Sequence, residues 1–189
     1  MRTNRLSRWG FIALTTAIIS AAGTGGCRVS ETDVQRWEST ERGPDKLVAV
    51  ITHDKYEPAL RVQAAVALVR MKPRGGRRVG ITQMVDAMAT VNPETRKSLL
   101  GSLVPILVQE MQKPPPVAQA GQVAPADQSI PYKDAAFALL TYDKDRLVLV
   151  AEQAHRQALI DSLIQWIQTD FEHRYDNASQ MYGLEQLIM

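Results

Sequence analysis

Residues 58–69 have the sequence Pro-Ala-Leu-Arg-Val-Gln-Ala-Ala-Val-Ala-Leu-Val, and this stretch decides the fold. Its apolar residues recur every three or four positions, which is the spacing of an α-helix. They form two faces, with Leu60, Ala64, Leu68 and Met71 on one and Val62, Val66 and Val69 on the other. A helix that is apolar on two sides has to be covered on two sides, so the stretch predicts a helix inside a helical assembly.

The same pattern occurs again 35 residues later. Four positions keep register between the copies: Pro58, Arg61, Leu68 and Val69 in the first, and Pro93, Arg96, Leu103 and Val104 in the second. A third, weaker copy has Arg156 seven residues before Leu163 but lacks the proline. A fixed period of this length is typical of stacked units of secondary structure.

Partner helices are predicted between the copies, at residues 44–52, 80–91 and 132–140, where apolar residues again have helical spacing. Asn92 and Pro93 predict the start of the second-copy helix, as a cap and a first helical residue. In the third copy the predicted apolar face is Ile160, Leu163, Ile164, Ile167 and Phe171. Trp37 and Trp166 are expected in the core. Strand signals are scarce, so the sequence predicts an all-α fold.

Paired antiparallel helices at this period resemble the HEAT and armadillo-type repeats, from residue 44 to the C-terminus. The resemblance implies a short α-α superhelix. It also implies structural roles for Pro58 and Pro93, which would end or bend a helix pair, and for Arg61 and Arg96, which would fix the turn between repeats. The apolar segment 178–189 begins a further helix that pairs with something else or belongs to a truncated array.

The repeats are interrupted by a segment that starts with three prolines, Pro114 to Pro116. Its composition cannot continue a helix or bury a core, so residues 113–131 are predicted to be an exposed inserted loop. The helical repeats are thus predicted at residues 44–189. The N-terminal features described next predict a signal peptide at 1–26 and a tether and leading helix at 27–43.

The N-terminus has the pattern of an export signal. Residues 1–10 carry three arginines and no acid, and residues 11–22 carry no charge. An apolar run of this length is shorter than the roughly 20 residues that a helix needs to cross a bilayer. The sequence therefore predicts an exported chain and not a transmembrane anchor.

Cys27 is the only cysteine in the chain, and it follows the small residues Gly23-Thr24-Gly25-Gly26. The arrangement resembles a bacterial lipobox, although Thr24 stands where leucine is commoner. The resemblance implies that Cys27 is lipidated and becomes the mature N-terminus. The alternative is ordinary signal cleavage that leaves Cys27 as a free thiol. Arg28 lacks the acidic character that commonly retains lipoproteins at the inner membrane, so we expect the periplasmic face of the outer membrane.

Removal of residues 1–26 leaves 19 basic and 20 acidic residues, so a mature chain gives no reason to expect nucleic-acid binding. One basic cluster remains in the body of the chain, formed by Arg70, Lys72, Arg74, Arg77 and Arg78. One interpretation is a solvated loop whose arginines cap neighbouring helices. The other is a contact site for an anion, such as a lipid headgroup or an acidic partner.

No arrangement of residues indicates catalysis. Glu152 and His155 have a spacing used in helical metal sites, but such sites need a second copy and further inward glutamates, which favours a solvated helix face. Neither a nucleophile elbow nor a phosphate-binding loop occurs. The sequence therefore predicts a tethered envelope lipoprotein that is not an enzyme, needs no metal or cofactor, and acts as a scaffold for an unknown protein partner.

Overall fold

The computed structural model describes residues 29–117, 119–122, 125–142 and 153–169. These residues form α-helices and no strand, which confirms the all-α prediction. The helices in chain order are α1 (Glu31–Trp37), α2 (Gly43–Thr52), α3 (Pro58–Arg70), α4 (Val79–Thr90), α5 (Pro93–Met111), α6 (Ile130–Thr141) and α7 (Gln153–Gln168). The predicted signal peptide, Cys27 and the segment 178–189 lie outside the described residues.

The partner helices predicted from spacing are confirmed as α2, α4 and α6, with ends within two residues of those expected. Prolines mark the first turn of four helices, where a missing backbone N–H costs nothing. Asn92 caps α5 as predicted, because its side-chain oxygen accepts from the backbone N–H of Thr95 at 2.8 Å. Pro105 lies inside α5, and the helix continues through it to Met111.

The first helix has a complete capping box. The hydroxyl of Ser30 accepts from the backbone N–H of Asp33, and the Asp33 carboxylate accepts from the Ser30 backbone N–H at 3.0 Å and from its hydroxyl at 2.8 Å. The backbone hydrogen bond, followed by the hydroxyl, lowers the pKa of Asp33. Because this pKa is lowered by folding, the stabilisation is present at neutral pH and is lost as pH falls through it.

Ser30→Ala should raise the pKa of Asp33 toward its ordinary value, since the variant removes the hydroxyl, one of the donors to the carboxylate. The rise should be partial, because the backbone N–H of Ser30 remains. An NMR titration of the Asp33 side-chain carboxyl measures the shift. Ser39→Ala, which removes a hydroxyl bonded only to the Arg36 carbonyl, is the control. An unchanged pKa in Ser30→Ala would show that the hydroxyl does not act on Asp33.

Helix α3 lies at the centre of the described helices, where it contacts α1, α2, α4, α5 and α6. Ala64, Ala65, Leu68 and Val69 are fully buried on its different sides, which confirms that this helix is covered on more than one face. Small alanines allow neighbouring backbones to approach closely. A close approach to α3 occurs at Gly80 in the first turn of α4, where an added Cβ would lie 2.3 Å from the Leu68 carbonyl oxygen.

The helices pack in two rows. In one row α2 contacts α4, which contacts α6, and in the other α3 contacts α5, which contacts α7. The pairs α2–α3 and α6–α7 also pack together. In the middle, α4 packs chiefly on α2, α3 and α6, and α3 reaches α6 directly. The centre of the assembly therefore departs from a simple stack of antiparallel pairs.

The predicted apolar face of α7 is partly wrong. Leu163 is buried as expected, but Ile164 is 48% exposed and Ile167 is 38% exposed. The face that packs on α5 and α6 instead includes Leu159 and Trp166, both almost fully buried. The expected burial of Trp166 is thus confirmed, whereas Trp37 is only half-buried at the edge of the core. The leucines and Trp166 lie on one side of α7 and the isoleucines on the other, and apolar spacing alone did not determine which side faces inward.

The inserted segment is not uniformly exposed. It runs from the end of α5 at Met111 to the start of α6 at Ile130, and its last residues turn inward. Asp127 and Ser129 are buried, with 5% and 2% of their surface exposed. The prediction of an exposed loop is therefore wrong at this end, because the side chains of Asp127 and Ser129 are hydrogen-bonded to one another and can enter the interior.

Candidate functional site

The repeat arginines hold the C-terminal ends of the preceding helices. The Nε of Arg61 donates to the carbonyl of Ile51 at 2.7 Å, and its Nη1 contacts Asp54 at 3.4 Å. Arg96 makes the corresponding contacts at the end of α4, donating to the carbonyls of Met88, Ala89 and Val91 at 2.9, 2.7 and 3.0 Å. Helix ends leave carbonyls without intrahelical partners, so these guanidinium groups satisfy them.

The prolines and leucines of the two repeat copies also occupy equivalent positions in the structure. Pro58 and Pro93 are exposed at the first positions of α3 and α5. Leu68 and Leu103 are both fully buried in the core. The register of the two copies therefore places equivalent residues in equivalent surroundings.

The basic cluster surrounds a tight turn between α3 and α4. The backbone N–H groups and carbonyls of Arg74 and Arg77 pair with one another at 2.9 and 3.1 Å. Gly75 and Gly76 between them have φ values of 56° and 75°, a left-handed conformation that glycine adopts without strain. Two positive φ values in succession are typical of a two-residue hairpin turn.

Three of the five basic residues have partners within the fold. The guanidinium of Arg70 bonds to the carboxylate of Glu38, the residue that follows α1. Arg74 donates to the backbone carbonyls of Thr40 and Glu41 at 2.9 and 3.1 Å, which holds the turn between α1 and α2.

The Nε of Arg78 lies 2.6 Å from an oxygen of Asp134, and both side chains are nearly buried. Arg78 is therefore not an exposed contact residue. Lys72 and Arg77 are exposed and have no ion pair or side-chain hydrogen bond within the described part of the chain.

Asp134 belongs to a buried polar network that no sequence motif indicates. Its second oxygen lies 2.5 Å from the Nζ of Lys133, whose side chain is fully buried. The same Nζ lies 5.5 Å from the centre of the Trp166 ring, within the range of a cation–π contact.

The Trp166 ring N–H donates to the Ser129 hydroxyl at 2.8 Å, and that hydroxyl donates to Asp127 at 2.7 Å. Through this chain of contacts, the network joins α4, the inserted segment, α6 and α7. Its charged groups face each other and the Trp166 ring, so the arrangement fits a structural role.

An apolar groove runs along α3 between α1 and α5. Val62 and Val66 of α3 form its floor, Val34 and Gln35 line the α1 wall, and Ile106 lines the α5 wall. The cavity has a volume of about 240 Å³. Helix α1 is held beside α3 at both ends, because Gln63 donates to Glu31 at 2.8 Å and Arg70 bonds to Glu38. The groove is thus built on helices whose positions are fixed by packing and polar contacts.

The groove continues into a polar cavity of about 630 Å³, which shares Gln35 and Arg70 with the apolar part. Its lining includes Glu110, Lys113 and Tyr132. Burial lowers the pKa of Arg70, but the hydrogen bond and the charge of Glu38 outweigh that effect and raise it. Burial, followed by the charge of Glu110, raises the pKa of Tyr132, although Arg70 lowers it. Arg70 therefore stays charged and Tyr132 neutral at physiological pH.

Comparison with protein-family models, curated proteins and solved structures gives no match. The assignment of function therefore depends on the chain itself. Within residues 29–117, 119–122, 125–142 and 153–169, no group of three or more His, Cys, Asp or Glu residues could hold a metal ion. No helix in those ranges has the length and hydropathy of a membrane span.

No metal site forms around His155 in the described part of the chain. His53 is exposed at the end of α2, and Asp161 is hydrogen-bonded to Gln157 on the surface of α7. His155 lies between α7 and α5, where its Cε1 would be 3.9 Å from a Cβ at Gly101. Glu152 and His173 lie outside the described residues.

Sequence reasoning missed the groove and the buried network. The groove requires three helices to come together, one of which is the short α1. The network joins residues that are far apart in the chain, such as Arg78 and Asp134. The one available signal was the charged pair Lys133-Asp134 inside an otherwise apolar helix, since charges on such a helix are rarely buried without partners.

Proposed function

We propose that this chain is a non-catalytic scaffold of helical repeats in a bacterial cell envelope. In this proposal it is tethered through lipid on Cys27 to the periplasmic face of the outer membrane. It binds a helical segment of a partner protein, and it uses neither a cofactor nor a nucleic acid. The observation that carries the proposal is the apolar groove between α1, α3 and α5.

The groove suits an amphipathic helix. Val62 and Val66 are four residues apart on α3 and present one apolar strip along its floor, with Ile106 and Val34 on opposite walls. Recognition of an amphipathic helix commonly uses an apolar floor between helical walls. The charged residues at the polar end, Glu38 with Arg70 and Glu110 with Lys113, are already paired. A partner therefore gains mainly from apolar contact along the floor.

A photo-crosslinking amino acid in place of Ile106 should capture one defined partner segment in intact envelopes. The control is the same substitution at Val79, which is 40% exposed at the start of α4 and does not line the groove. A synthetic peptide with the captured sequence should bind the purified chain, and Val66→Glu should weaken that binding at least about tenfold by placing a charge on the apolar floor. Equal capture at both positions, or binding unaffected by Val66→Glu, would refute the groove as the binding site.

The tether has a separate test. Cys27 precedes Glu31, the first residue of α1, by four positions, so a lipid there would hold α1 within about 14 Å of chain length from the bilayer surface. Metabolic labelling with a fatty-acid analogue should modify the chain, and Cys27→Ser should abolish the label and release the protein from the membrane fraction. An unmodified mature N-terminus would disprove the tether and leave the groove proposal intact.

The hairpin between α3 and α4 supports a second candidate, in which the chain binds an anionic surface or partner. Lys72 and Arg77 are the members of the basic cluster that have no partner within the described residues. Replacing both by serine should leave the melting temperature nearly unchanged, because exposed charges contribute little to stability.

The double serine variant should reduce binding to vesicles that contain anionic lipid, most strongly at low salt. Replacement of Arg36 and Lys46 by serine is the charge-matched control, since both are exposed on α1 and α2. An equal loss in both variants would mean that net charge alone determines the binding.

A further inference from the structure

An exposed apolar strip lies on the outer side of α7. Ile164 and Ile167 are 48% and 38% exposed, and Ile160, four residues before Ile164, is half-buried on the same side. The other side of α7 packs on α5 and α6. The described helices leave this strip without a partner.

The chain continues from α7 into a segment with matching apolar residues. Met181, Leu184 and Ile188 recur at intervals of three and four residues, as Ile160, Ile164 and Ile167 do on α7. Residues 170–177 separate the end of α7 from this segment. Eight residues can extend to about 28 Å, whereas the strip from Ile160 to Ile167 is only about 10 Å long on a helix. The connection is therefore long enough for residues 178–189 to return along α7.

We propose that residues 178–189 cover the Ile160, Ile164 and Ile167 strip of the same molecule. Burial of exposed isoleucine side chains against Met181, Leu184 and Ile188 removes apolar surface from water, which stabilises the contact. The short connection gives the segment a high effective concentration at α7 and favours this contact over one with a second copy. The strip is thereby closed to other partners, and the groove on the α1 side remains open. The inference does not depend on the proposed partner or tether.

The single native cysteine makes this contact directly measurable. In the full chain carrying Cys27→Ser, Ile164→Cys introduces one thiol under the proposed contact, and Val79→Cys introduces one at an exposed site elsewhere. We expect the thiol at 164 to react with a maleimide about tenfold more slowly than the thiol at 79, since a covered thiol must wait for local opening. This order opposes the described exposures, which are 48% for Ile164 and 40% for Val79.

A second change identifies the occupant. Leu184→Asp with Ile188→Asp should raise the reactivity of the thiol at 164 to that of the thiol at 79, whereas Gln186→Asp, on a polar position of the same segment, should leave it low. Circular dichroism checks that the variants keep their helices.

Fast labelling of the thiol at 164 in the chain that keeps Leu184 and Ile188 would overturn the inference. Labelling that stays slow after Leu184→Asp with Ile188→Asp would also overturn it. Labelling that slows as protein concentration rises would also overturn it, because a second copy would then cover the strip.

Discussion

Gly80→Ala should lower the free energy of unfolding by about 3 kcal/mol, at the upper end of typical overpacking costs. The added Cβ would lie 2.3 Å from the Leu68 carbonyl oxygen and 3.2 Å from its carbonyl carbon. Both are backbone atoms of the central helix α3, so no side-chain rotation relieves the clash. The helices α3 and α4 would have to separate, and α3 would lose part of its packing. Urea unfolding followed by circular dichroism measures the change.

Gly101→Ala is the matched control within α5. The nearest atom to its added Cβ is the Cε1 of His155 at 3.9 Å, an ordinary contact distance. Alanine has a higher helix propensity than glycine, so this variant should gain up to about 1 kcal/mol. Opposite signs for the two variants would establish that close backbone contact, and not the loss of a glycine, determines the Gly80 effect. A destabilisation of equal size in both would contradict this explanation.

Asp134→Asn should cost about 3–5 kcal/mol, because it removes the carboxylate paired with both Lys133 and Arg78. Lys133 is fully buried, and its ammonium would keep the Trp166 ring as a neighbour but lose the charge of Asp134. Thermal and urea unfolding of the single variant measure the cost. Arg36→Gln, which breaks an ion pair whose arginine is 65% exposed, should cost less than about 1 kcal/mol.

The double variant Lys133→Met with Asp134→Asn tests the cause of that cost. Removing Lys133 together with Asp134 takes away the fully buried ammonium, although the nearly buried Arg78 guanidinium still loses the Asp134 carboxylate. The double variant should therefore recover part of the stability lost in Asp134→Asn. A double-mutant cycle measures the coupling between the two residues. A coupling near zero would mean that Asp134 stabilises the fold through other contacts.

The sequence predicted the helices far better than their packing. Proline at the first turn, Asn92 as a cap and apolar spacing are local signals, and they located α2 to α6 within a few residues. Apolar spacing was insufficient for α7, because leucines lie on one side of that helix and isoleucines on the other. Only contact with α5 and α6 determines which side is buried.

The candidate site was less predictable because it depends on distant partners. The density of positive charge from Arg70 to Arg78 is visible in the sequence, but the acceptors of Arg74 are backbone carbonyls more than thirty residues earlier in the chain. Asp134, the partner of Arg78, follows it by 56 residues. The groove also depends on residues that are distant in the chain, since its walls come from α1 and α5 and its floor from α3.

Arg61 of α3 and Arg96 of α5, which bond to the ends of α2 and α4, affect which residues the connections can accept. Many helices end in a left-handed residue, usually glycine, that directs backbone N–H groups to the last carbonyls. Here His53 and Val91 follow these helices in extended conformations, with ψ values of 124° and 155°, while Arg61 and Arg96 bond carbonyls in the last turns or just beyond. The connecting residues are thereby released from the requirement for glycine. In natural variants we therefore expect the residues of the two connections to differ while Arg61 and Arg96 are retained.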